Sequence, residues 1–261
     1  MLQYIKELIK YKELLYMLVW RDIRVKYKQS VMGYMWALFI PMVMISAGVL
    51  VRLGMSILSG KEFAFSQIIT VSVKAIPWTL FIGSVRFGVN SLLGNAGLVT
   101  KIYFPKEVFP IAAVFSQLFD FSIATCTLIV LLVFSGIGAS IYLIWVPFLL
   151  GVLILLSLSI VLSLSAANLF YRDVKYLVEV ILSMGIFFTP VFYDVKIAGK
   201  YSWILMLNPV APILEGLNAC VVSHESPDAE WILYSVMVAA LGVICSYLFF
   251  KKVEPQFAES I

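Results

Sequence analysis

An all-α membrane protein with six transmembrane helices is predicted by three observations on this sequence of 261 residues. First, 51 consecutive positions from Phe121 to Tyr171 carry no Asp, Glu, Lys, Arg or His. A helix needs ~20 residues to cross ~30 Å of hydrocarbon, so this stretch crosses twice. Gly136, Gly138, Ala139 and Ser140 mark the turn between the two crossings. Second, 62% of the residues are hydrophobic and only 13% are charged, with a mean hydropathy of +1.00. That composition leaves almost no chain for a water-soluble domain. Third, Lys and Arg gather on one side of the predicted spans, the asymmetry that fixes orientation in a bilayer.

The expected spans cover residues 31–56, 67–89, 108–134, 141–167, 176–193 and 231–250 of a single transmembrane domain, 1–261. Ahead of them, residues 1–30 read as a cytoplasmic interfacial segment. Leu2, Ile5, Leu8, Ile9, Leu15 and Val19 share one helical face, with Lys6, Glu7, Lys10 and Glu13 elsewhere. That helix either anchors the first span or also grips a cytoplasmic partner. The first apolar run, Val31 to Val51, has 21 uncharged residues and no small-residue cleavage site behind it, so it is expected to stay in place as a span.

Fourteen cations, including Arg86, Lys106, Arg172, Lys175, Lys251 and Lys252, fall on one side of these spans. Four fall on the other, namely Arg52, Lys61, Lys196 and Lys200, and Lys74 lies inside a span. The bias puts both termini in the cytoplasm. A seventh span over Tyr201 to Val222 is rejected, because Asn208-Pro209 and Pro212 interrupt it. Residues 194–230 are instead expected to form an external re-entrant segment of two half-helices. Irregular backbone at that depth needs packed protein or a wet cavity around it.

Ionisable groups inside spans are costly and informative. Asp120 and Lys74 lie ~18 Å and ~24 Å from the cytoplasmic ends of their helices at ~1.5 Å per residue, which predicts an intramembrane ion pair between them. Arg86 is a second candidate partner for Asp120. Ser159, Ser163 and Ala167 recur at four-residue spacing, a small-residue stripe that lets helices approach closely. Cys126, Cys220 and Cys245 lack ligand or disulfide spacing and read as small hydrophobes.

The segment RDIRVKYKQSVMGYMW, Arg21 to Trp36, brings four cations to the membrane surface just before Gly33 and Trp36. In order along the chain follow KIYFPKEVFP at Lys101 to Pro110, YRDVKYL at Tyr171 to Leu177, TPVFYD at Thr189 to Asp194 and LNPVAPILEG at Leu207 to Gly216. This series resembles the type 2 ABC exporter permeases, specifically the branch that exports polysaccharides and teichoic acids. The resemblance covers most of the chain. It implies a half-transporter in the bacterial inner membrane that forms a channel as a homodimer, driven by two separate nucleotide-binding ATPase subunits. The chain has no G-x-x-x-x-G-K-[ST] phosphate loop, since GNAGLVTK at Gly94 to Lys101 lacks the required ending. No cofactor is therefore expected in it, with ATP and magnesium belonging to the partner.

By analogy with the family, residues 94–106 form the coupling loop. Asn95 is expected to cap a short helix through Ile102 that presents Leu98, Val99 and Lys101 to the ATPase groove, the bland reading being an ordinary connector. The expected substrate is a polysaccharide on undecaprenyl diphosphate, O-antigen ahead of capsule or teichoic acid. Arg21, Arg24, Lys26 and Lys28 form the candidate diphosphate entrance, although positive-inside retention alone explains the same residues. Tyr34, Trp36, Phe39, Phe187, Phe188, Phe192 and Tyr193 form a candidate channel wall, since aromatic faces stack on sugars, whereas single aromatics also serve as interface anchors. Asn208, Pro209, Pro212 and Glu215 form a candidate outer gate.

Two other readings remain. A lipid-linked transferase needs an acid, base or metal constellation, yet His224 is the single histidine and stands only beside Glu225 and Asp228. A drug or small-lipid efflux permease of the same superfamily is the closer alternative. Nucleic acid is not an expected partner, whereas membrane lipid is.

Overall fold

The computed structural model describes residues 10–28, 30–60, 62–101 and 104–257, which contain ten α-helices and no strand. Helix α1, Lys12–Lys28, has Glu13 in its first turn and Lys26 and Lys28 in its last, matching the helix macrodipole. Leu18, Ile23 and Tyr27 form its buried face. The apolar positions Leu2, Ile5, Leu8 and Ile9, with Lys6 and Glu7, lie outside the described residues, as does Lys61.

Helix α2, Met35–Ser59, closes on Gly60 in the left-handed conformation that glycine adopts without strain. Helix α3, Phe65–Val89, is the most enclosed of the long helices, with Ile69 to Trp78 buried on every face. After a 3-10 turn at Leu93–Asn95 comes the six-residue α4, Ala96–Lys101. Helix α5, Val108–Ser135, ends at Gly136, again left-handed. The expected turn follows, with the Ser140 hydroxyl accepting from the Tyr142 amide to start a 3-10 turn that leads into α6, Trp145–Phe170. Helix α7 is Val174–Phe188 and α8 is Ser202–Met206. Nine-residue α9, Val210–Asn218, runs into a π-helical turn, and α10, Ala229–Val253, begins at an Asp228 side-chain cap.

Five helical segments, at 35–59, 65–89, 108–135, 141–170 and 229–256, are long and apolar enough to cross a membrane. The expected span at 176–193 differs. Its helix has 15 residues and stops at Phe188, because Pro190 forces Thr189 into an extended conformation (φ −113°, ψ 130°). The chain there passes from the level of Val89 in α3 to that of Arg52 in α2. The Lys175 amide donates to Asn168, whose own amide donates to the Val89 carbonyl, while Asp194 meets Arg52.

Helix α3 packs against α2, α5, α6 and α9, and α6 lies along α10. The main core joins Ile69, Trp78 and Phe81 of α3 to Leu149, Leu153 and Leu156 of α6 and to Ile213 and Leu214 of α9. Close approach is built into the sequence at two glycines. A Cβ on Gly88 would lie 2.3 Å from Val161 Cγ1, and one on Gly242 would lie 3.0 Å from Ser159 Oγ. Ser159 of the stripe thus packs within the chain, between α6 and α10.

A second core sits at the end of the bundle that carries α1 and α4. Leu18, Leu92, Val99, Phe104, Phe109, Phe250 and Phe257 meet there. Both α1 and the residues following α10 are therefore at one end, which the five long helices alone would not deliver.

Candidate functional site

Between α1, α2, α3, α5 and α7 lies a cavity of about 420 Å³, lined by Lys26, Trp36, Thr79, Arg86, Gln117 and Asp120 among apolar neighbours. Lys26 Nζ pairs with the Asp120 carboxylate and donates to Gln117 Oε1 at 3.2 Å. The Tyr27 hydroxyl donates to the other Asp120 oxygen. Burial, and then this bond to a carboxylate, hold the Tyr27 phenol well above its usual range. The Tyr27 ring sits 4.8 Å from Tyr34 and 6.3 Å from Phe119, between centroids, so α1 is wedged against α5 by both charge and aromatic contact. At the rim, Arg86 Nε stands 2.8 Å from Glu179 of α7.

Of the four entrance cations, Lys26 alone lines the cavity. Arg21 pairs with its neighbour Asp22 at 2.7 Å, the Arg24 guanidinium lies over the Trp20 ring at 5.1 Å, and Lys28 faces outward. Two cations and one carboxylate in a largely apolar cavity suit an anionic or strongly hydrogen-bonding group.

The predicted Lys74–Asp120 pair does not form. Helix α1 brings Lys26 and Tyr27 to Asp120, and α9 brings a closer carboxylate to Lys74; neither pairing was expected. Arg86 likewise pairs with Glu179, not with Asp120. Lys74 is fully buried, and its ammonium lies 2.7 Å from Glu215 Oε1 and 3.6 Å from Asp194 Oδ1. Asp194 also receives Arg52 Nη2 at 2.8 Å, and Arg52 Nε donates to the Phe192 carbonyl at 3.0 Å. Two cations from α2 and α3 thus hold two carboxylates from the loop after α7 and from α9. Burial pushes the Asp194 carboxyl upward, but Arg52 and then Lys74 outweigh it and leave it below its ordinary value.

The same end of the bundle is fastened by the candidate gate residues. The Asn208 amide donates to Thr189 Oγ1 at 2.8 Å, and its oxygen accepts from the Val210 amide at 3.2 Å. The Pro209 carbonyl accepts from Ser235 of α10 at 2.9 Å. Pro212 is buried in α9, whose nine residues span about 14 Å, too short to cross a bilayer.

The aromatic residues divide. Phe187 and Phe188 are 69% and 68% exposed, and Tyr34, Trp36 and Phe39 are also exposed. Trp36 and Phe39 stand edge to face at 5.5 Å. Phe192 instead packs over Gly48, where a Cβ would meet its ring at 2.6 Å, and the Tyr193 hydroxyl donates to the Phe187 carbonyl at 2.8 Å. One surface therefore carries Phe187 and Phe188, while Phe192 fixes the loop beneath it.

In α4, Asn95 does not cap the helix; its amide nitrogen donates to the Ser91 carbonyl at 2.7 Å and closes the preceding turn. Val99 is only 2% exposed and points into the second core, so it holds α4 in place instead of facing a groove. Leu98 packs at the edge of that core, and Gly97 and Thr100 face outward. Lys101 closes the helix, and Ile102 lies outside the described residues.

The residues that sequence reading missed are mainly partners: Gln117 and Tyr27 at the cavity, Arg52 and Asp194 at the far end, and Glu107, Lys251 and Glu254 where the start of α5 meets the end of α10. Asp194 and Glu107 stand within the quoted motifs TPVFYD and KIYFPKEVFP, the one signal that could have found them. No cluster of His, Cys, Asp and Glu able to hold a metal occurs among the described residues.

Residues 13–221 match the family described as ABC-2 type transporter. The chain is 26% identical to the O-antigen export system permease protein RfbA of Myxococcus xanthus, over 264 residues that cover 100% of both proteins. Two proteins of the same description from Klebsiella pneumoniae are 24% and 26% identical over 258 residues, covering 95% of this chain and 94% of each relative.

Proposed function

Because the chain belongs to the ABC-2 type transporter family, whose members are membrane subunits of transporters and not enzymes, we propose that it is the permease of an ATP-driven polysaccharide exporter. The observation that carries this reading is similarity along essentially the whole chain to three O-antigen export permeases. Two copies form a channel at their interface in the bacterial inner membrane, each crossing six times with both termini cytoplasmic. Residues 176–193 are the fifth crossing, completed by the turn that follows Phe188. Two separate nucleotide-binding subunits hold ATP and magnesium and push on α4.

The substrate is a polysaccharide linked to undecaprenyl diphosphate, of the O-antigen kind. Lys26 and Arg86 offer the diphosphate two cations at the cavity. Each cation near an anionic surface is worth ~1 kcal/mol, enough to favour entry without trapping the lipid. Phe187 and Phe188, with Tyr34, Trp36 and Phe39, give stacking surface to passing sugars. At the far end, the Arg52, Lys74, Asp194 and Glu215 cluster ties the gate segment to α2 and α3, and closes the outlet between transport events.

The test is reconstitution of the permease with its ATPase partner in lipid vesicles. ATP-dependent transfer of lipid-linked polysaccharide across the vesicle membrane is expected. An active ATPase that moves a small amphiphile but no polymer would favour the efflux reading instead.

A further inference from the structure

Helix α4 has six residues, too few to be stable alone, so its position is set by what it packs against. Its buried Val99 enters a core that residues at and after the end of α10 help to build. Phe257 is fully buried, 5.2 Å from the Phe250 ring and 6.0 Å from Phe170, in the core that also contains Leu92, Val99 and Phe104. The Lys106 amide donates to Glu254 at 3.3 Å, and Lys251 Nζ lies 3.0 Å from Glu107 and 2.9 Å from Glu254. Glu107 is 2% exposed. Lifting the loop from α10 would strand that carboxylate without its cation, a strongly unfavourable state for a buried charge.

Leu18 of α1 belongs to the same core, and two turns further along α1 stand Lys26 and Tyr27, the residues that hold Asp120 at the cavity. We propose that Glu254 and Phe257 are positioning residues for α4, clasping the loop at Phe104 to Glu107 so that α4, α1 and the adjoining end of α10 move as one body. Force applied to α4 is then delivered through α1 to the Lys26–Asp120 contact at the cavity, rather than lost in bending of a six-residue helix. This rests on the reading of α4 as the contact for an ATPase partner, and it adds the route by which that contact reaches the substrate site.

The experiment uses the complete transporter in vesicles, and reads ATP hydrolysed per polymer exported alongside the amount of assembled complex. Phe257→Ala, Glu254→Gln and Glu107→Gln are expected to raise that ratio by about fivefold or more, the lower range of coupling between linked sites. A fall in complex or melting temperature with an unchanged ratio would mean a merely structural role and would overturn the proposal. The exchange Glu107→Lys with Lys251→Glu should recover part of the coupling lost in either single variant.

For variants that fail to fold, a second measurement applies to a chain otherwise altered only by replacing the exposed Cys126 and Cys245 with serine. Cysteines replacing the exposed Thr100 and Lys252, joined by a cross-linker matched to their separation, should leave export running if the two move together. A block of export by that tether would overturn the single-body motion. Leu98→Glu separates the two levels. If it leaves coupling intact, the reading of α4 itself fails; if it uncouples while Phe257→Ala does not, only the clasp fails.

Discussion

Lys74 is fully buried in the middle of a predicted span, where Glu215 and Asp194 approach it from two different segments. Removing one partner of a buried pair typically costs ~3–5 kcal/mol, so Glu215→Ala should lower stability in detergent by an amount of that order. Asp194, with its side chain 47% exposed, is better screened, and Asp194→Asn should cost distinctly less. Denaturant titrations of both variants check the order. The pH dependence follows from the sign of the Asp194 shift. Its folded value lies below the ordinary 3.8, so on acidification the unfolded chain takes up the proton first. Its contribution is fully present above that ordinary value and is lost as pH falls through the folded one. The stability difference between Asp194→Asn and the parent should therefore be flat from about pH 5 to 8 and shrink only under stronger acid, as melting curves would show.

Helices in this bundle are set by close contacts that tolerate little added volume. Gly88→Ala would put a methyl 2.3 Å from Val161 Cγ1, which should destabilise by ~1–3 kcal/mol through overpacking of α3 on α6. Val161→Ala in the same chain should recover part of it, and thermal unfolding of the single and double variants measures the recovery. On the proposed role of α4, Leu98→Glu with Lys101→Glu should uncouple the partner's ATPase while leaving the dimer intact, read as ATP consumed without export. Hydropathy and span length made the five long helices legible, and Gly136 marked the end of one of them. Thr189-Pro190 was legible too, but as part of a span, because apolar content continues through Tyr193 after the helix has stopped. The ion pairs were not legible. Counting depth along α3 and α5 left Lys74 and Asp120 facing each other, since nothing in local sequence says that α1 and α9 insert their own charges at those levels.

At the scale of the whole molecule, two polar sites lie at different depths of one apolar bundle, with exposed aromatic rings of α2 and α7 among its surface residues. That arrangement fits a pathway in which charge receives the substrate, ring faces let it slide, and a salt-bridged segment closes the exit. Truncating Phe187, Phe188 and Tyr193 to Ala should reduce polymer export by more than it reduces the amount of folded permease, measured side by side in cells. The family was legible from ordered motifs spread over most of the chain, whereas the site was legible only as residue types. The division of the aromatic set into exposed Phe187 and Phe188 and packed Phe192 depends on Gly48, distant in sequence. The central claim is export of a lipid-linked polymer, and the most direct measurement is made in a host with this gene deleted, separating lipid-linked polysaccharide held inside from material at the cell surface. Finished lipid-linked polymer accumulating inside, with none outside, is the predicted result; a normal amount at the surface would contradict it.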